Sequence, residues 1–125
     1  MDTHHRRVVL LVDDDRGIRR LLGHYLESHR GFKVVTAETV DEGLQAIRDY
    51  RLSAAIVDLR LPHGSGRDIV MAMPAGVPVI IFSGAPAQSW EIERYRPRTR
   101  LIEKPCPLAS LVDTLQEMLA SADAH

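Results

Sequence analysis

Ala54-Ala55-Ile56-Val57-Asp58-Leu59-Arg60-Leu61-Pro62, closing at Gly64-Ser65-Gly66, is the stretch on which the fold turns. The apolar run from Ala54 to Val57 reads as a strand buried on both faces. The Pro/Gly/Ser residues after it read as a turn. One carboxylate, Asp58, stands between the two. In an open parallel sheet, ligands sit beyond the carboxyl ends of the strands, so Asp58 occupies a position where chemistry is done.

Outward from this centre, the same grammar repeats. Val8 to Val12 is a continuous aliphatic run, a second buried strand, and it ends in Asp13, Asp14 and Asp15. Ile18, Leu21, Leu22, Tyr25 and Leu26 then recur with helical spacing, and Arg30-Gly31 closes that helix. Phe32 to Val35 predicts a short strand. Thr39 with Glu42 resembles a capping box, opening a helix whose inner face is Leu44 and Ile47. Beyond Asp58, Asp68 to Met73 fits only a short helix, because Pro74 and Gly76 cut it off. Val77 to Phe82 predicts a strand ending at Ser83-Gly84, and Trp90 to Tyr95 a weakly amphipathic helix closed by Pro97. Leu101-Ile102 is a minimal strand before Glu103-Lys104-Pro105. Leu108, Leu111, Val112, Leu115 and Leu119 mark the clearest amphipathic helix. Strand and helix alternate throughout, which predicts an α/β doubly wound fold: a five-stranded parallel sheet with helices on both faces. Periodicity leaves the strand order open.

Composition sets the outer bounds. The chain has 125 residues, 45% hydrophobic and 26% charged, with a net charge of -1. That predicts one soluble globular domain without bulk attraction to nucleic acid or anionic membrane. No apolar run approaches the ~20 residues of a membrane span, so membrane insertion is not expected and a cytoplasmic location is. The single cysteine, Cys106, excludes an internal disulfide framework and fits a reducing compartment. His4, His5, Arg6 and Arg7 read as a solvated basic end.

Parallel strands put their carboxyl ends on one edge, so Asp13 with Asp14, then Asp58, Ser83 and Lys104 are predicted to meet there. Gathered carboxylates repel one another unless a cation sits among them. Hard oxygen ligands suit magnesium, which takes one or two carboxylates, several waters and phosphate oxygens. A lysine and a hydroxyl nearby suit the remaining oxygens of a phosphoryl group. The set therefore points to metal-assisted phosphoryl transfer to a carboxylate, with positioning and charge neutralisation as the main catalytic effects. It requires the Asp14 and Asp58 carboxyl groups to lie within roughly 10 Å of each other.

Val12-Asp13-Asp14-Asp15, Asp58-Leu59-Arg60-Leu61-Pro62 with Gly66, Ser83-Gly84-Ala85 and Glu103-Lys104-Pro105 together resemble the receiver domain of bacterial two-component response regulators. The resemblance runs from about Arg7 to Leu119, so residues 1–125 read as one receiver domain with short tails. It implies a flavodoxin-like sheet of order 2-1-3-4-5. It also implies Asp58 as phosphoacceptor and Mg2+ ligand, Asp14 as direct Mg2+ ligand with Asp13 beside it, and the Arg60 backbone carbonyl as a further ligand. Ser83 and Lys104 would meet the phosphoryl oxygens, and Pro105 commonly follows through a cis bond. The implied donor is a sensor histidine kinase or phosphotransfer protein. The implied output is a protein target on the face of the fourth helix, fifth strand and fifth helix, without direct nucleic acid binding.

Several positions depart from the family pattern. Leu101 stands where the aromatic switch residue is usual, which puts the aromatic coupling of Ser83 to the surface in question. Cys106 replaces a common phenylalanine and reads as a small buried thiol. Arg94, Arg96, Arg98 and Arg100, interleaved with Tyr95 and Pro97, take the place of the usual Gly-Ala. They read either as a solvated loop or as a basic contact patch for an acidic partner. Asp15 reads as a helix N-terminal acid, and His24, His29 and His63 as surface residues. Arg60 and Ala85 lie where side chains gate attacking water. Trp90 reads as a partly exposed packing residue.

Two other functions compete with a phosphorylation switch. One is a phosphorylation-independent pseudo-receiver acting as a constitutive protein-binding module, favoured by Leu101 and opposed by the complete site. The other is a phosphatase of the haloacid dehalogenase type. That chemistry needs an aspartate two residues after the nucleophile, where Arg60 stands, so no turnover of a free substrate is expected.

Overall fold

The computed structural model describes residues 6–84 and 90–123, apart from the side chains of Trp90 and Glu93. Five parallel strands form one sheet: β1 (Val8–Val12), β2 (Lys33–Ala37), β3 (Ala54–Val57), β6 (Val79–Ser83) and β7 (Thr99–Glu103). A two-stranded antiparallel hairpin, β4 (Arg60–Leu61) and β5 (Gly64–Ser65), follows β3. The sheet order is β2-β1-β3-β6-β7. With the hairpin set apart, this is the expected 2-1-3-4-5. Helices are α1 (Arg16–Arg30), α2 (Val40–Asp49), α3 (Arg67–Ala72), α4 (Trp90–Tyr95) and α5 (Leu108–Asp123).

The period of two along the strands divides the core into layers. Leu10, Val12, Ala55, Val57, Val79 and Ile81 pack with Ala46, Ile69, Val70 and Ile92 on one side. Val9, Leu11, Ala54, Ile56, Ile80 and Phe82 pack with Leu22, Leu26, Leu111, Val112 and Leu115 on the other. Leu101 is half-buried against the first layer. The inner strands β1, β3 and β6 are covered on both faces and tolerate no polar alternation, which is why their sequences are nearly unbroken aliphatic runs.

Local signals end the elements as their chemistry dictates. Asp15 caps α1: its Oδ1 accepts the amides of Gly17 (2.8 Å) and Ile18 (3.2 Å). Gly31 closes that helix at φ 71°, a left-handed conformation that costs glycine little. Thr39 Oγ1 accepts the Glu42 amide (3.1 Å). The returning half of the capping box lands one residue early, with Glu42 Oε1 accepting the Glu38 amide (2.9 Å).

Four details differ from the sequence expectation. Leu21 is 67% exposed, so the inner face of α1 is Leu22 and Leu26, with Ile18 and Tyr25 at its margin. On α2 the expected Leu44 and Ile47 do pack against the core but only half-buried, and the fully buried residues are Gly43 and Ala46. Cys106 is half-buried rather than enclosed. Most consequential, Arg96 does not belong to any solvated patch. It is 3% exposed, and its guanidinium donates to the carbonyls of Pro74 (2.5 Å), Val77 (2.5 Å) and Arg98 (3.1 Å) and to Thr99 Oγ1 (3.1 Å). Among the described residues no carboxylate pairs with it and its Nε has no acceptor. Burial alone pulls its pKa below the ordinary arginine value. Arg94 and Arg100 remain exposed, as does Tyr95 at 69%. The expectations for His4, His5 and Ala85 and for the Trp90 side chain fall outside the described residues.

Candidate functional site

The sheet register brings the acidic residues together. Val12 pairs with Val57 in register, and the Asp58 amide donates to the Val12 carbonyl (2.9 Å), so β1 and β3 release Asp13 and Asp58 at the same height. Asp13, Asp14 and Asp58 each offer a carboxylate oxygen within 4.8 Å of the others. Asp13 and Asp58 are buried, at 2% and 6% exposure, whereas Asp14 faces solvent.

Lys104 reaches this cluster from the end of β7. Its Nζ lies 2.8 Å from Asp13 Oδ2 and 2.9 Å from Asp58 Oδ2. The Lys104–Pro105 bond is cis, and the Lys104 amide donates to the Ser83 carbonyl (3.0 Å). The remaining carboxylate oxygens are also engaged. Asp13 Oδ1 accepts the Asp15 amide (2.9 Å), and Asp58 Oδ1 accepts the Arg60 amide (3.0 Å). Ser83, the last residue of β6, is fully buried at the same sheet edge. Thus Asp13, Asp14, Asp58 and Lys104 form one contact cluster, and Ser83 adjoins it through the main chain. At Arg60 the atom tied to Asp58 is the amide, and its side chain is exposed.

The charge balance of this cluster suits a cation. Three carboxyl groups gather around one ammonium, that of Lys104. Burial is the main force lifting the Asp13 carboxyl above its ordinary 3.8, opposed by Lys104 and the Asp15 amide. For Lys104, burial pulls downward, but hydrogen bonds and attraction from Asp13 and Asp58 outweigh it and raise the pKa above 10.5. Two ligand oxygens on one magnesium ion stand at most about 4.2 Å apart. Oxygens already within 4.8 Å therefore fit a small divalent ion, directly or through one of its waters.

Gly66 holds the floor of the site. A Cβ there would sit 2.1 Å from the Asp58 carbonyl oxygen and 2.8 Å from Val57 Cγ1. Its φ of -59° is ordinary, so the requirement is for space rather than for conformation. The Gly66 amide donates to the Leu59 carbonyl (2.9 Å), closing the hairpin back onto the strand end. One further residue escaped the sequence reading: Arg19, whose guanidinium donates to the Asp13 carbonyl (2.8 Å) and pairs with Glu38 (2.9 Å). It belongs to no strand-end motif, and only the fold brings it to the site.

A five-stranded parallel sheet with an acidic cluster and a lysine at its carboxyl edge defines a CheY-like, flavodoxin-like α/β protein. Residues 9–116 match the response regulator receiver domain, and the chain belongs to that family of two-component systems. It is 38% identical over 84 residues to the transcriptional regulatory protein GlrR of Escherichia coli K12, covering 65% of this chain and 19% of that protein. The KDP operon transcriptional regulatory protein KdpE of the same organism is 36% identical over 86 residues, 67% of this chain and 38% of that protein. The chain thus spans well under half the length of these relatives. Among solved structures, a CheY-like receiver domain protein from Methanospirillum hungatei JF-1 superposes with a TM-score of 0.88 at 25% identity, covering 96% of this chain and 98% of that one. The chemotaxis response regulator CheY4 of Vibrio cholerae gives 0.79 at 26% identity, covering 91% and 99%.

Proposed function

We propose that the chain is a phosphorylation-controlled switch in which Asp58 is the phosphoacceptor. The observation that carries this reading is the Asp13–Asp14–Asp58 cluster with Lys104 bonded to two of its members. In the proposed reaction, an Asp58 carboxylate oxygen attacks the phosphorus of a phosphohistidine on a sensor kinase or phosphotransfer protein. The P–N bond breaks, the P–O bond forms, and the electron pair stays with the departing imidazole. Asp13, Asp14 and Asp58, with the Arg60 backbone carbonyl, would hold Mg2+. When bound, the ion neutralises charge on the transferring phosphoryl oxygens. Lys104 already faces Asp58 and exchanges a carboxylate partner for a phosphoryl oxygen, and the Ser83 hydroxyl takes another.

The acyl phosphate adds nearly two negative charges at a sheet edge, which biases the surface beyond it. The output in this reading is a protein contact on the face of α4, β7 and α5, where Arg94, Tyr95 and Arg100 are exposed. Turnover of free phosphate esters is not part of it, since Arg60 offers no acid two residues past Asp58. The test is incubation with Mg2+ and acetyl phosphate, followed by intact-mass measurement. One phosphoryl group should be gained by the wild type and none by Asp58→Asn. No gain in the wild type refutes the reading in favour of a constitutive binding module.

A further inference from the structure

We propose that Arg19 is a positioning residue for the divalent-cation site, clamping the peptide plane that joins Asp13 to Asp14. The inference rests on reading the acidic cluster as a cation site. Asp13 is anchored by its carboxylate to Lys104 and the Asp15 amide, and by its own amide to the Ala37 carbonyl (3.1 Å). Its carbonyl is the one remaining polar group, and Arg19 Nη1 takes it at 2.8 Å. That carbonyl lies in the same rigid plane as the Asp14 amide. Rotating the plane swings the Asp14 Cα, and with it the carboxylate. Asp14 itself is exposed and its side chain accepts no hydrogen bond from the described residues, so its aim is set by the main chain alone.

The other end of the guanidinium gives the clamp its fixed point. Arg19 Nη2 lies 2.9 Å from Glu38 Oε2, and the Glu38 amide is itself held by Glu42 at 2.9 Å. One planar group therefore ties the turn after β1 to the turn after β2. The Arg19 side chain is only 16% exposed, which limits competition from water. A lysine presents a single ammonium in place of the two-pronged fork and cannot reproduce both links at this geometry.

Charge and geometry predict opposite signs, and that makes the proposal testable. Removing a cation beside three carboxylates tightens binding of a divalent ion if Arg19 acts only through its field. If Arg19 acts by aiming Asp14, its removal weakens binding, typically about tenfold or more for a residue that orients a metal ligand. Mn2+ serves as the probe, its free fraction read from the electron paramagnetic resonance signal, for wild type, Arg19→Ala, Arg19→Lys and Glu38→Gln. Thermal melts in EDTA run alongside. Expected is about a tenfold loss for Arg19→Ala, with Arg19→Lys and Glu38→Gln between it and the wild type. Wild-type binding with Arg19→Ala unchanged or tighter overturns the clamp and leaves the cation site standing. A lower melting temperature with unaltered Mn2+ affinity does the same, revealing only a strut. Should Arg19→Ala fail to fold, unchanged affinity in both other variants overturns it equally. No Mn2+ binding by the wild type overturns the cation site and the clamp together.

Discussion

Replacing Gly66 by alanine tests how closely Asp58 is packed. The added Cβ would stand 2.1 Å from the Asp58 carbonyl oxygen, whereas ordinary contact begins near 3.4 Å, so backbone must move by about 1.3 Å. Neither side yields easily. The Asp58 amide is bonded to Val12, and Gly66 is held through its amide by Leu59 and through its carbonyl by the Val70 amide (3.0 Å). Overpacking against main chain warrants the upper end of its usual cost, about 3 kcal/mol. Loosening the two Gly66 hydrogen bonds adds about 1–2 kcal/mol. The stiffer unfolded chain returns up to about 1 kcal/mol. The expected loss is about 3–4 kcal/mol, a drop of roughly 1.5–2 M in urea midpoint at an m-value of about 2 kcal/mol/M. Gly43→Ala is the matched control. Its Cβ would meet Ile69 Cδ1 at 2.4 Å and Cγ1 at 3.0 Å, side-chain atoms that a rotamer change can move, rather than main chain. A helix-propensity gain of about 1 kcal/mol opposes the clash, so stability should stay within about 1 kcal/mol of wild type. The reasoning fails if Gly66→Ala unfolds within 0.5 kcal/mol of the wild type (roughly the scatter of an inert surface change) or costs no more than Gly43→Ala.

Three further outcomes are expected. Lys104→Met in EDTA should lose about 2 kcal/mol near neutral pH, since two buried carboxylates lose their donor. Because the folded Lys104 pKa is raised, its contribution is complete below 10.5 and fades as pH climbs through the folded value, so a gap to wild type that stays constant across alkaline urea titrations refutes the pairing. Asp13 is raised as well: above 3.8 the unfolded chain releases a proton that the folded one retains, so metal-free wild type should lose stability relative to Asp13→Asn as pH rises through that window. The opposite slope would contradict burial as the dominant effect. Arg96→Met should cost about 3 kcal/mol by orphaning the Pro74 and Val77 carbonyls, read as a fall of roughly 10 °C or more in Tm. A melt within 2 °C of wild type, well inside that fall, would show water replacing the guanidinium.

What was legible in the sequence follows burial. β1 and β3 lie inside the sheet, and their aliphatic runs mark them to within a residue. β2 and β7 lie at its edges, where Thr36, Thr99 and Arg100 interrupt the pattern and hide the strand ends. Asp13, Asp14, Asp58, Ser83 and Lys104 could be placed together from sequence because each lies at the carboxyl end of a strand or within two residues of it, and parallel order alone brings such points to one edge. The β4–β5 hairpin was not, for it depends on His63 adopting a φ of 61°, which few non-glycine residues do. Arg96 was misread for a different reason. Its four acceptors include carbonyls 19 and 22 residues away, and an arginine among prolines otherwise reads as solvated. Leu21 fell on the apolar stripe by spacing, yet it lies one position around the helix from the true seam of Leu22 and Leu26.

Leu101 carries a consequence for how a change at Ser83 travels. It sits half-buried on β7, one strand over from Ile81 in register. An aliphatic group has no hydroxyl to anchor an outward pose, and turning it into water forfeits about 25 cal/mol for each Å² uncovered. The half-buried pose against the first core layer is the one its packing favours. Burial therefore opposes any signal that would require the side chain at this position to turn outward.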